Sequence, residues 1–363
     1  MSDDKNMNND EIKRQLMELM SRMTELQGAG SDSDGIRSEL AKELDRLGED
    51  LIAKRQAGEA SESEDKNESG DEGKMIDTEK ETLKRKLMAI ARKEIRITTG
   101  KPDAPLAATA SRIGGKPAVP QDFEWPYFAD AAEGKTEPLP LAFMAQINLK
   151  DVAELDEENR LPKTGILSFF YELESMTWGF RATDRGSARV YYFPDEAALS
   201  VVELPDALAE ENRIPELAVQ FESQISLPGP AEFDEYITDG DDEDYDWDEY
   251  EKCRRECGYV DEEWREGEHF KMFGYPDVIQ DTMEEECEGM TAPFLREEGA
   301  SDDEDAVRER AKDWTLLLQM STISDGEDYE FMFGDAGNIY FWIRKEDLRD
   351  LKFENVWLIL QCY

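Results

Sequence analysis

The sequence predicts an α+β fold: an internally duplicated domain with a mixed or antiparallel sheet and an appended N-terminal helical region. Three observations lead there. Short strand-like runs past residue 100 are separated by irregular stretches rather than by one helix each, which argues against a doubly wound parallel sheet. One pattern of glycine, proline, glutamine and aromatic residues occurs twice. The first hundred residues carry helical periodicity and few β-type residues.

The N-terminal region comes first. Ile12, Leu16, Leu19, Met23 and Leu26 follow a heptad seam, and Ile36, Leu40, Leu44, Leu47 and Leu51 share a second helical face. Gly28-Ala29-Gly30 separates the two. Helices this short are marginal in water and need a partner surface. An αα-hairpin, self-association with a second copy, docking on another protein and a weakly helical tail all fit. This gives residues 1–57 as a coiled-coil-like helical region. Residues 58–75 are rich in Ser, Glu, Asp, Asn and Gly and read as a disordered acidic linker. Residues 76–363 then form the α+β domain, with its core at about 100–363. It opens on an amphipathic helix from Thr78 to Ile95, using Leu83, Leu87, Ile90 and Ala91.

Strands are expected at Leu141–Asn148, Gly165–Glu172, Ala188–Phe193, Leu217–Ser223, Trp314–Met320, Tyr329–Phe333, Asn338–Ile343 and Val356–Cys362. Helices are expected at Leu149–Glu157, Asp244–Cys257, Glu304–Lys312 and Lys345–Leu351. Glu232–Glu251, with twelve carboxylates and no basic residue, and Ser301–Asp305 read as flexible acidic loops. Asp239-Gly240-Asp241-Asp242 lacks EF-hand spacing, so a solvated charge run is the plainer reading.

The repeated pattern is Gly-X-Pro, an apolar strand holding one glutamine, then a glycine before an aromatic strand. Its first copy runs through Gly115-Lys116-Pro117, Gln146, Gly165 and Phe169; its second through Gly274-Tyr275-Pro276, Gln319, Gly337 and Phe341. Leu167 and Phe169 should then share a face with Ile339 and Phe341. Gly165 and Gly337 are expected to supply positive φ in the turns. A buried amide must be hydrogen-bonded, so each glutamine either ties its strand to nearby backbone or faces a ligand.

Composition narrows function. The 363 residues contain 42 Lys and Arg against 87 Asp and Glu, a formal charge of −45. That field repels nucleic acid and draws basic proteins, peptides or cations. It also serves solubility alone. Four cysteines, Cys253, Cys257, Cys287 and Cys362, do not make a disulfide framework. No signal peptide and no apolar run of about 20 residues is read, so no membrane contact and a cytoplasmic location are expected, with the nucleus as the other address.

These segments resemble the YwqG-like family. The resemblance is carried by Ser111 to Pro117, Trp125-Pro126, Pro138-Leu139, Ala145 to Leu149, Leu161-Pro162, Gly165 and Phe169-Phe170. It continues in His269, Gly274 to Pro276, Leu317 to Gln319, Gly334 to Gly337, Tyr340 to Trp342 and Leu358 to Tyr363. It implies a compact, internally duplicated α+β domain and little about chemistry. Two departures stand out: Phe273 where the family often has a second glycine, and Met320-Ser321 where it often has an acidic residue.

Catalytic motifs are missing. His269 is the one histidine, which excludes sites built on several imidazoles. A zinc site from Cys253, Cys257, Cys287 and His269 can be drawn but lacks standard spacing, so no metal or cofactor is assigned. No Gly-X-Ser-X-Gly, Walker or dinucleotide fingerprint occurs. The candidate ligand site is Arg112, Gln146, His269, Gln319 and Asp335, walled by Trp125, Trp178 and Trp342; the plainer reading makes the aromatics core and Asp335 turn chemistry. The leading functional expectation is a non-catalytic protein-binding or regulatory protein with a basic partner. The alternative is a small-ligand binder or enzyme with its site in the groove between the repeats.

Overall fold

The computed structural model describes residues 77–130, 134–236, 246–259, 270–295, 301, 303–325 and 329–363. The chain divides into two units, Met1–Lys74 and Met75–Tyr363. The expected N-terminal helices and the linker lie outside the described residues, as does His269.

The second unit is a mixed α+β fold dominated by one large antiparallel sheet. In chain order the strands are β1 Arg92–Gly100, β2 Arg112–Ile113, β3 Ala118–Pro120, β4 Tyr127–Phe128, β5 Leu139–Pro140, β6 Ala142–Asn148, β7 Ile166–Tyr171 and β8 Ala188–Phe193. They continue as β9 Leu199–Val201, β10 Leu217–Ser226, β11 Phe270–Phe273, β12 Trp314–Met320, β13 Ile323–Ser324, β14 Glu330–Phe331, β15 Asn338–Arg344 and β16 Trp357–Gln361. The described helices are α1 Asp77–Ile90, α2 Leu149–Val152, α3 Pro230–Tyr236, α4 Trp247–Glu256, α5 Glu284–Leu295, α6 Glu304–Ala311 and α7 Lys345–Arg349.

Ten strands form the main sheet in the order β16-β15-β12-β11-β1-β10-β2-β6-β7-β8. Every pairing in it is antiparallel. The long pair β1–β10 holds the centre, and an arm extends on each side. β1, from the start of the unit, pairs only with β10 and β11. Each arm has a register shift two residues before its glutamine, at Met144 in β6 and at Leu317 in β12. An extra residue at such a point increases strand twist. The sheet curls until its arms meet: Phe169 packs on Phe341, and Tyr192 of β8 on Phe353. Past β7, Trp178 accepts through its carbonyl from Leu360 N of β16. The result is nearly barrel-shaped.

Alternation along the strands divides the core. Inward residues from both arms, including Leu167, Phe169, Ile339 and Phe341, fill one continuous apolar cluster. Outward residues pack under separate covers. Trp314, Tyr340, Trp342 and Trp357 lie with Cys287 of α5. Leu83 and Leu87 of α1 meet Leu227, Phe233, Tyr250 and Cys253. Phe170 packs in a third cluster with Phe128, Leu141 and Phe143.

Three local expectations are corrected. The first helix stops at Ile90, not Ile95, because Arg92–Thr99 alternates and buries Ile95 and Ile97 on one face of a strand. The acidic stretch Glu232–Glu251 is helical at both described ends, where Phe233 and Tyr250 dock in the core beside Leu227. Gly165 does take a positive φ of 101°, whereas Gly337 does not. Left-handed geometry falls on Ala336 instead, at φ 47°. Gly337 is needed for close approach: a Cβ there would lie 2.3 Å from Phe333 O and 2.4 Å from Gln361 O.

Candidate functional site

The two glutamines do the same job in the two arms. In β6, Gln146 stands opposite Arg112; in β12, Gln319 stands opposite Lys271. Both amides are fully buried. Gln146 Oε1 accepts from Ala118 N at 2.9 Å, and Gln319 Oε1 accepts from Asp277 N at 2.9 Å. Those acceptors' partners are the residues that directly follow each Gly-X-Pro. The repeated motif therefore turns the chain so that the next N–H meets a buried amide. The cations match too. Arg112 pairs with Glu216, the residue before β10, and Lys271 pairs with Glu94 of β1. Gly114 and Phe273, which precede the Gly-X-Pro glycines, both hold φ near 60° (60° and 64°). Phe273 thus adopts the strained geometry a second glycine would adopt freely. It is buried, under the Arg160 guanidinium at 3.7 Å from its ring centre.

The arms differ in what completes the cluster. In the first arm backbone does. Gln146 Nε2 donates to Ala108 O and Ala110 O, and Arg112 donates to the carbonyls of Ala107, Ala108 and Ala110. The residue after Gly-X-Pro is Ala118, with no polar side chain. In the second arm that residue is Asp277. Its Oδ1 takes Lys271 Nζ at 2.8 Å and its Oδ2 takes Gln319 Nε2 at 2.7 Å. Its carbonyl accepts from Tyr340 OH at 2.6 Å. Glu94 lies 3.4 Å from Lys271 Nζ and accepts from Gln224 Nε2 at 2.6 Å. Burial works against the Lys271 charge, but Asp277 and Glu94 outweigh it and hold the ammonium above its ordinary range.

Asp277 also lines an open cavity of about 370 Å³, together with Glu232, Glu251, Arg254, Tyr259 and Pro276. Proline starts α3 at Pro230, a residue suited to a first helical turn. Asp246 caps α4 by accepting from Glu249 N. These two helices carry Glu232 and Arg254 to the cavity that Asp277 lines. Burial, and next the charge of Glu284, push the Glu232 carboxyl up to about 7. Arg254 donates to Glu251 Oε1 at 2.6 Å and Leu227 O at 3.1 Å, and lies 3.9 Å from the Tyr259 ring centre.

The residues expected from sequence do not gather there. Arg112 and Gln146 come together in the first arm; Gln319 belongs to the second. Asp335 is exposed in a turn and accepts from Tyr363 N through its backbone. Trp125 donates to Leu141 O and lines a separate aromatic cavity of about 520 Å³ with Phe123, Tyr127 and Tyr191. Trp178 is 40% exposed beside Phe180, and Trp342 is buried in the cluster under α5. Sequence reading missed Lys271, Asp277 and Glu232. The first two were visible by laying the two Gly-X-Pro segments side by side, where Asp277 stands in the place of Ala118. Glu232 is hidden in a run of carboxylates.

Among the described residues no group of three or more His, Cys, Asp or Glu side chains is placed to hold a metal ion. The cysteines are unpaired, Cys253 and Cys287 lying in different apolar clusters. No described helix is long and apolar enough to cross a membrane.

A family model described as a domain of unknown function, DUF1963, matches residues 111–362. The chain belongs to the DUF1963 family. The match takes in both glutamines, both Gly-X-Pro turns and the Asp277 cavity. It starts after β1, so the DUF1963 sheet of this chain is completed by a central strand from outside the matched span. No curated protein matches the chain.

Proposed function

We propose that this protein binds a small polar ligand in the second-arm cavity at Asp277. One observation carries the reading. Around matched glutamine and cation pairs the first arm completes its cluster with backbone and Ala118, whereas the second adds the Asp277 carboxylate and Tyr340 beside a cavity. Stability alone needs only the first solution, and buried charge is costly where it does no more than hold structure. Clustered, perturbed ionisable groups facing a cleft mark functional sites.

The test is a thermal-shift screen of metabolites on the full chain and on Ala231→Trp, which puts a bulky side chain on the cavity wall without removing a charge. A ligand that binds the folded form raises its melting temperature. The expected result is a shift in the native protein that is lost in A231W. No shift for any metabolite, or equal shifts in both proteins, overturns the reading.

A second reading is a non-catalytic regulatory protein that recognises a basic protein, favoured by the −45 formal charge. Under it the N-terminal region adds a contact or joins two copies. Pull-downs with the full chain and with Met75–Tyr363 separate these roles. A cut at residue 100 is unsuitable because it removes β1.

We also read the two arms as an internal duplication and the family membership as YwqG-like. Support comes from the matched register, bulges, glutamine bonds and ion pairs. We place the protein in the cytosol, on four unpaired cysteines.

A further inference from the structure

Two buried polar atoms of the Asp277 cavity have no hydrogen-bond partner among the described residues: Glu232 Oε1 and Arg254 Nε. Glu232 is 1% exposed and Arg254 6%, and both side chains line the same cavity. The rest of each group is occupied. Glu232 Oε2 accepts from Gly229 N at 2.8 Å, and the Arg254 terminal nitrogens serve Glu251 and Leu227. One acceptor on a carboxyl and one donor on a guanidinium are therefore left over.

Leaving such atoms unpaired in the interior is unfavourable, and a cavity of about 370 Å³ far exceeds the ~30 Å³ of one water. The leftover pair fits a molecule that donates at one end and accepts at the other. A simple amine leaves Arg254 Nε unpaired. A simple acid faces Glu232, Glu251 and Asp277. We propose that the cavity binds a small zwitterion of α-amino-acid type, its ammonium facing Glu232 and its carboxylate facing Arg254. This rests on the small-ligand reading above and names the ligand class for it.

Ion pairing at Glu232 requires the carboxylate form. Glu284 of α5 and burial oppose that form, while Lys271 of β11 favours it; Tyr250 of α4 and Tyr340 of β15 also face the group. An ammonium supplies the missing counter-charge, so binding displaces the carboxyl proton to solvent. Affinity should then rise about tenfold from pH 6 to pH 8 for an amino acid whose side chain does not titrate in that range.

The experiment is isothermal titration calorimetry on the full chain with each of the twenty common L-amino acids. The best binder is then compared with its decarboxylated amine and its deaminated acid. The expected result is a Kd below about 1 mM for at least one amino acid, with both truncated probes at least about tenfold weaker. Glu232→Gln should lose about tenfold and flatten the pH dependence, its fold checked by circular dichroism. The native-protein comparison stands without the variant. An amine or an acid that binds as tightly as its amino acid overturns the zwitterion. If no amino acid binds while another metabolite gives a shift that A231W abolishes, the ligand class is wrong and the cavity reading survives. If no metabolite binds, the cavity holds water and both fall.

Discussion

Phe169 and Phe341 meet edge to ring, their centres 5.2 Å apart and their planes at 76°, although their strands are never neighbours in the sheet. Each is fully buried and opposes the residue just before its arm's glutamine, Ala145 or Leu318. The contact ties the arms across the interior. Phe169→Ala and Phe341→Ala should each cost about 3–5 kcal/mol in urea unfolding. The double-mutant cycle should return a coupling of about 1 kcal/mol. Additive losses would mean that the rings fill space independently.

The glutamines should separate structure from function. Gln146→Leu strands Ala118 N–H and takes one of two donors from each of Ala108 O and Ala110 O, which keep Arg112. The expected loss is roughly 2–4 kcal/mol in denaturant melts, with ligand binding kept. Gln319→Leu removes a donor from Asp277 as well. It should cost a similar stability and also weaken any ligand found by the thermal screen.

Glu232 predicts a pH dependence. Its folded carboxyl titrates at about 7 against an ordinary 4.5. The folded form therefore binds the proton more tightly, and its stabilising share is full below about 4.5 and lost as pH rises through 7. Relative to Glu232→Gln, the native protein should lose roughly 2–3 kcal/mol between pH 4.5 and 8. Parallel stability curves for the two proteins would refute this.

Two glycines should fail for different reasons. Gly114→Ala meets both a left-handed backbone at φ 60° and Pro215 O at 2.3 Å from the new Cβ. Gly337→Ala has ordinary backbone geometry but puts the Cβ 2.3 Å from Phe333 O. Each should lower the melting temperature by at least about 5 °C, given losses of a few kcal/mol. An unchanged G337A protein would show that the Phe333 turn yields easily.

Strong alternation and β-branched or aromatic runs were readable. Ala188–Phe193 and Trp314–Met320 are strands with the expected bounds, and the shared face of Leu167, Phe169, Ile339 and Phe341 is one core. β1 was not readable as a strand, because Leu83, Leu87 and Ile90 carry a helical period up to its door. β2 and β11 are too short for periodicity to register; pairing of β2 with β10 and β6, and of β11 with β1 and β12, defines them. The site was half legible. The glutamines pointed to the right motif, but function follows the side chain after the proline, and polarity at that point shows only once the copies are compared. Arg254 and Glu232 reach the cavity from distant helices, which no local pattern reveals.

The central position of β1 bears on synthesis. Its only strand partners, β10 and β11, leave the ribosome more than a hundred residues later. Until then Ile95 and Ile97 have no strand beside them, so the nascent chain carries an open apolar edge from the end of β1 until β10 and β11 emerge. Closure is a late event, and chaperone dependence should concentrate in that interval.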